Sequence, residues 1–255
     1  MNSYCPLIIL DLSSQEIVKQ KLVYLSLVLP TYNEKNNITR VINQICHELD
    51  RVIPDKYELI VVDDDSPDGT WEIAESLTAQ YSNLTVIRRQ DERGLATAVI
   101  RGWQAARGEI LGVIDADLQH PADVLPKLLS AIETVDIAVA SRNIKGGGVS
   151  DWSLIRRLIS RFAQSLGFII LHEVVSRVSD PMSGYFLVRR NIISGRKLDP
   201  VGYKILIEIL ARGAKGKVSE VGYVFKERKK DSSKANLRIY IEYLIHLFKL
   251  RFKHE

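Results

Sequence analysis

Short apolar runs alternate with amphipathic stretches of about a dozen residues from Val23 to Ala140, and this alternation limits the fold more than any other feature. Val23 to Leu29, Tyr57 to Val62, Leu84 to Ile87, Ile110 to Ile114 and Asp136 to Ala140 read as buried strands. Asn36 to Leu49, Thr70 to Tyr81, Gly94 to Arg107 and Asp123 to Thr134 read as the helices between them. In the first helix Ile38, Val41, Ile42, Ile45 and Leu49 share one face, with Asn36 or Asn37 as its cap. Pro30 is expected to end the first strand and Gly108 to stop the third helix. Strands separated by helices need crossover connections, which implies an α/β fold: a mostly parallel central sheet with helices on both faces.

After Ser141 the pattern loosens. Lys145 to Gly148 reads as a flexible loop, Trp152 to Leu171 as an amphipathic helix and Tyr185 to Val188 as a further strand. Tyr203 to Ala211 reads as a short helix, Val218 to Phe225 as a strand and Leu237 to Phe252 as a closing helix. Residues 1–21 form an extension without an assigned role, 22–236 one domain, and 237–255 a basic amphipathic helix.

The chain has 255 residues, 46% hydrophobic and 26% charged, which suits a folded domain and not a disordered one. Its two cysteines, Cys5 and Cys46, exclude a disulfide framework, and Cys46 falls on a helix as a small core residue. The net charge of +4 is unevenly spread. Lys226 to Glu255 holds nine Lys/Arg against four Asp/Glu, leaving 26 basic and 27 acidic residues elsewhere. Such a tail suits anionic lipid or phosphate, and no nucleic-acid motif accompanies it. No apolar stretch approaches the ~20 residues of a membrane span, and no signal-peptide pattern opens the chain. A cytoplasmic setting is expected.

The chemistry gathers where strands end. Asp115-Ala116-Asp117 follows the run Ile110 to Ile114, placing two carboxylates at the sheet's carboxyl edge, where open α/β sheets bind ligands. Hard oxygen donors there, with Gln119, suit Mg²⁺ or Mn²⁺ bridging protein and diphosphate. Asp63-Asp64-Asp65 follows another strand, and such acids repel one another unless cations or donors are near. One can take a ribose or base while another holds the loop through a neighbouring cation. Pro30-Thr31-Tyr32-Asn33-Glu34 follows the first strand, with a Tyr face able to stack on a base and a carboxylate able to accept from a nucleoside. His47, His120, His172, His246 and His254 have no ligand spacing, and His120 is expected as a neutral loop histidine near the metal motif.

Together these segments resemble the family 2 inverting glycosyltransferases of the nucleotide-sugar (GT-A) fold, in particular the dolichyl-phosphate mannose synthase group. The resemblance runs from about residue 22 onward and is carried by Pro30 to Glu34 (PTYNE), Val61 to Thr70 (VVDDDSPDGT), Arg93 to Arg101 (RGLATAVIR), Asp115 to Pro121 (DADLQHP), Ser141-Arg142 and Asp180 to Tyr185 (DPMSGY). It implies that Pro30, Tyr32, Glu34, Val62 and Asp64 hold the nucleoside. Asp115, Ala116 and Asp117 then meet the donor diphosphate, with Asp117, Gln119 and Asp115 as ligands of Mg²⁺ or Mn²⁺. Arg142 matches a phosphate-contacting arginine, Lys204 lies near the site, and Arg228 and Lys234 match basic residues that close over the phosphates. Arg157 and Ser160 match acceptor-phosphate contacts. Asp180 and Ser183 shape the sugar or acceptor side, Asp180 either polarising a hydroxyl or making the turn with Pro181 and Gly184.

The implied reaction is inverting, metal-dependent transfer of a hexose, first of all mannose from GDP-mannose, to a polyprenyl or dolichyl monophosphate. UDP-glucose or another UDP-hexose with a bacterial polyprenyl phosphate is the alternative donor and acceptor. A non-catalytic nucleotide-sugar-binding protein on the membrane surface is the alternative of another class. Apolar faces in 151–171 and in the last helix (Ile239, Tyr240, Tyr243, Leu244, Leu247, Phe248, Phe252), flanked by basic residues, are expected as interfacial helices on the cytoplasmic face of a membrane. The chain resembles a short form that docks peripherally or through a membrane-anchoring partner protein.

Overall fold

The computed structural model describes residues 22–150, 165–213, 215–226 and 237–252, with side chains of the last segment from 242 onward. Residues 1–21, Arg157, Ser160, Arg228 and Lys234, most of the 151–171 helix, and the side chains of Ile239 and Tyr240 lie outside that description. The elements run β1 (Leu25–Thr31), α1 (Ile38–Val52), β2 (Tyr57–Asp63), α2 (Thr70–Ser76), β3 (Leu84–Arg88), α3 (Leu95–Ala105), β4 (Ile110–Val113), α4 (Leu125–Ile132) and β5 (Ile137–Ser141). There follow β6 (Gly148–Val149), α5 (His172–Val175), β7 (Phe186–Arg189), α6 (Arg190–Ile193), α7 (Ile205–Arg212), β8 (Val218–Gly222), β9 (Val224–Phe225) and α8 (Leu237–Phe252).

Seven strands form one sheet in the order β3-β2-β1-β4-β7-β5-β8, and β6 pairs with β9 beside it. The pairing is parallel except at β7, which runs antiparallel to both β4 and β5. β1, β2, β4 and β5 are buried throughout, as their predominantly apolar sequences require in a sheet covered on both faces. One core cluster packs α1 and α4 against the sheet, and a second packs α3, α6 and α7 on it. Trp103 anchors the second, its indole N–H donating to Gly112 O at 3.1 Å. Cys46 is buried in the first.

Two punctuation residues act differently from the sequence expectation. Pro30 lies inside β1, paired in register with Val62. Asp64 N–H bonds to Thr31 O, and Ile114 N–H bonds to Val28 O. Strand alternation therefore turns the donor-less Pro30 nitrogen toward β4, whose pairing with β1 has already ended at Val28. α3 ends at Ala105 with Ala106 extended, so Gly108 is not the stop. A Cβ at Gly108 would fall 2.6 Å from Ser26 N, so the glycine is required by close backbone approach. There Glu58 accepts from Ser26 Oγ at 2.6 Å and from Arg107 N and Nε at 2.6 and 2.9 Å, tying the α3–β4 connection to the sheet's amino edge.

A third apolar cluster joins Leu171 and Val175 to Ile207 of α7 and to Tyr243, Leu247 and Leu250 of α8. The expected interfacial face of α8 is thus divided. Tyr243 and Leu247 face the protein, while Phe248 and Phe252 are exposed together with Ile245, which was not part of the expected face. Among the described residues no helix is long and apolar enough to cross a membrane.

Candidate active site

The carboxyl ends of β1, β2 and β4 meet along one edge, so PTYNE, DDD and DADLQHP become neighbours. Asp63 is fully buried and accepts from Thr31 Oγ1 at 2.6 Å and from Ser66 N and Oγ at 2.7 Å, joining the first two loops. Asp64 accepts from Arg89 Nε at 2.8 Å, from Arg89 Nη2 and from Gly94 N at 2.7 Å. Asp65 pairs with Arg88, whose guanidinium lies 3.9 Å over Trp71. The three acids are thereby separated by buried donors and arginines, which is what repulsion at such a strand end requires. Asp64 is the loop's anchor to Arg89, and Val62 is buried in β2 beneath it. Glu34 is held by Thr70 Oγ1 at its amide and accepts from Asn37 Nδ2 at 2.7 Å, while the Asn37 side chain makes no cap bond to α1. Tyr32 is exposed, with Arg93 5.3 Å over its ring.

Three of the four non-glycine residues with positive φ among those described stand at this edge: Asn33 (58°), Asp65 (55°) and Leu118 (62°). A leucine in the left-handed region stores backbone strain of about 1–3 kcal/mol, a cost concentrated at ligand-binding turns. It bends the chain so that Gln119 N donates to Asp117 Oδ1 at 3.0 Å. Gln119 is also pinned to the end of β9: Lys226 N donates to its O at 3.0 Å and its Nε2 donates to Lys226 O at 2.9 Å. The basic segment that begins at Lys226 therefore starts against the Asp-x-Asp turn. Ala116 is buried behind that turn.

Asp115 Oδ1 is buried with no hydrogen-bond partner, an arrangement a cation would complete. No three His, Cys, Asp or Glu converge among the described residues. The local donor set is two carboxylates and an amide oxygen, which fits a hard ion that keeps water and phosphate oxygens in its remaining positions.

Beside Asp115 stand two cations. Arg142 is bidentate on Asp180, Nε–Oδ2 and Nη2–Oδ1 both 2.7 Å. Burial alone would raise the Asp180 carboxyl, but the Arg142 hydrogen bonds and charge hold it below the ordinary range. Lys204, immediately before α7, donates to Met182 O at 3.2 Å. Burial first, then the Arg142 charge, push its pKa down to about 8, against the upward pull of Asp115 and Asp180. Ser183 Oγ donates to Ala140 O at 2.7 Å, so it holds the turn instead of facing the cleft.

His120 lies in the loop after the acidic motif, as expected, but its side chain is not on the surface. It is buried, its Nε2 3.4 Å from Asp115 Oδ2 and its Nδ1 3.0 Å from Tyr223 Oη. Its cage partners Tyr185, Tyr223 and Phe225 come from distant segments, so only its place directly after the acidic motif marked it.

The strand order reverses between β1 and β4, and the acidic turn lies at that switch point, where open α/β sheets bind ligands. Residues 26–195 match the family Glycosyl transferase family 2, and the chain belongs to that family. It is 45% identical over 226 residues to a dolichol-phosphate mannosyltransferase of Pyrococcus furiosus, covering 88% of this chain and 63% of that protein. With the Saccharomyces cerevisiae dolichol-phosphate mannosyltransferase it shares 34% over 234 residues, 88% of this chain and 86% of the other. Among solved structures it resembles glucosyl-3-phosphoglycerate synthase from Mycobacterium tuberculosis in complex with Mn²⁺, UDP and glucosyl-3-phosphoglycerate. That likeness has a TM-score of 0.66 and 20% identity over 91% of this chain and 81% of that one.

Proposed function

We propose that the protein transfers a hexose, mannose from GDP-mannose, to a polyprenyl or dolichyl monophosphate with inversion, giving a β-linked lipid phosphosugar. The observation that carries this reading is Asp115 at the tip of β4, with one buried oxygen unpartnered and two cations of the same site beside it, in a chain so similar to mannosyltransferases of that acceptor class. Asp117, Gln119 and Asp115 would hold a divalent ion, in keeping with the Mn²⁺ named for the structural neighbour. Bound there, such an ion neutralises diphosphate oxygens and makes the nucleotide a better leaving group.

The chain's own residues then divide the work. Tyr32, Glu34, Pro30 and Val62 frame the nucleoside, and Asp64 keeps that wall in place through Arg89. Lys204 and Arg142 set positive charge against the departing diphosphate, with Arg228 and Lys234 proposed to cover it. Arg157 and Ser160 are proposed to meet the acceptor phosphate, and Asp180 and Ser183 to shape that side by holding Arg142 and the 180–185 turn. A lipid monophosphate is already anionic near neutral pH, so no strong protein base is needed. Its oxygen forms the new bond to the anomeric carbon as the bond to the diphosphate oxygen breaks in line, which inverts that centre. Exposed Ile245, Phe248 and Phe252 near Lys249 and Arg251 support a peripheral membrane position.

Purified protein incubated with Mg²⁺, a polyprenyl phosphate and labelled GDP-mannose or UDP-glucose tests this. Chloroform-soluble label from GDP-mannose is expected. Label from UDP-glucose alone would move the assignment to the other donor, and none from either would leave only a binding protein.

A further inference from the structure

The Asp115 carboxylate has close neighbours at one oxygen. A Cβ at Gly184 would lie 3.1 Å from Oδ2, so the glycine leaves that oxygen just enough room, and His120 Nε2 stands 3.4 Å from the same atom. Oδ1 is left buried and free. The imidazole has little freedom to turn. Tyr223 stacks on it at 5.5 Å, and Tyr185 and Phe225 meet it edge-on at 5.5 and 5.1 Å.

Two neutral tautomers exist, and the neighbours discriminate between them. With the proton on Nδ1, the Nε2 lone pair would face a carboxylate oxygen. With the proton on Nε2, the N–H faces Asp115, and Tyr223 donates its hydroxyl to Nδ1 across the 3.0 Å contact. Of the two, only the second sets both ring nitrogens and the Tyr223 hydroxyl against complementary atoms. Burial and the surrounding acids hold the Tyr223 hydroxyl well above its ordinary pKa, in spite of Arg142, so it remains a donor.

We infer that Tyr223 and His120 are positioning residues that fix the orientation of the Asp115 carboxylate toward a divalent cation. They touch neither donor nor acceptor. The inference rests on the metal reading above, and it parallels the general rule that the hydrogen-bonded shell behind a ligand tunes metal affinity.

The test measures Mn²⁺ uptake by the whole chain, with Mn²⁺ alone and with Mn²⁺ plus GDP, from the electron paramagnetic resonance signal of free Mn²⁺. Tyr223→Phe and His120→Phe are expected to weaken uptake about ten- to a hundredfold. His120→Gln, whose amide can still donate toward Asp115, is expected to stay within about threefold of the parent. In ¹⁵N-histidine NMR spectra the parent should show His120 protonated on Nε2, and Tyr223→Phe a tautomer mixture. Thermal melts confirm that each variant is folded, and if Tyr223→Phe is not, the parent's tautomer and the His120→Phe value decide. No Mn²⁺ uptake by the parent would remove the metal reading and this inference with it. Uptake by the parent that Tyr223→Phe and His120→Phe leave unchanged, or an Nδ1–H tautomer, would overturn the inference alone.

Discussion

Arg142 and Asp180 lock together through two parallel 2.7 Å hydrogen bonds, and Arg142 N also donates to Asp180 Oδ2 at 3.1 Å. Asp180 is fully buried, and its own amide donates to Glu220 Oε1 at 3.1 Å. The pair joins the end of β5 to the DPMSGY turn and carries a guanidinium to the cleft wall. Removing the acid would strand a nearly buried cation, so Asp180→Ala is expected to destabilise the fold by about 3–5 kcal/mol in urea unfolding. A loss below about 1 kcal/mol would mean that solvent or another acid already compensates Arg142.

Lys204 gives the site a pH dependence with two opposite signs. The folded protein releases this proton near pH 8 and the unfolded chain near 10.5, so across that window the unfolded state binds more protons and stability rises with pH. Donor binding should move the other way, because an anionic diphosphate needs the charged amine. kcat/KM for the nucleotide sugar is expected to fall as pH climbs through about 8. Lys204→Arg, which keeps its charge, should flatten that fall, and an unchanged profile would remove Lys204 from donor binding.

Glu208 and His246 fasten α8 to the body. Both are fully buried, with Nε2–Oε2 at 2.7 Å, and Glu208 Oε1 also accepts from Asp199 N at 2.7 Å. His246→Ala is expected to cost about 1–3 kcal/mol by leaving a buried carboxylate oxygen without its partner. Hydrogen exchange should then quicken at the amides of 243–250 and not in β1 or β2. Uniform loss of protection would show that α8 is integral to the whole fold.

Gly184→Ala places a methyl group against Asp115 Oδ2, at a contact distance tighter than side chains usually keep. The turn can adopt the new side chain, so a small change in melting temperature is expected together with about tenfold weaker Mn²⁺ binding. Calorimetric titration checks this, and full affinity would mean that Asp115 is free to shift.

Much of this was readable from residue order because the governing physics is local. Uninterrupted apolar runs such as Leu59 to Val62 report burial on both sheet faces, and the acids after them report the carboxyl edge. Strand direction is not local, and nothing in Tyr185 to Val188 announces that β7 enters antiparallel between β4 and β5. Pro30 was misread because its cost depends on which neighbour its nitrogen faces. A cation holding one of the Asp63–Asp65 acids was expected, but the sequence does not say that Arg89 takes Asp64 while the adjacent Arg88 takes Asp65. Glu208 had a legible signal, a single acid inside Ile205 to Leu210, which needs a buried partner that only folding identifies as His246.

The central claim, that a divalent cation beside Asp115 and Asp117 is required for sugar transfer, meets its most direct test in chelation. Transfer from GDP-mannose to polyprenyl phosphate should stop when EDTA exceeds the metal, return with added Mn²⁺ or Mg²⁺, and not return in Asp117→Ala. Transfer at the full rate in excess chelator would contradict the account.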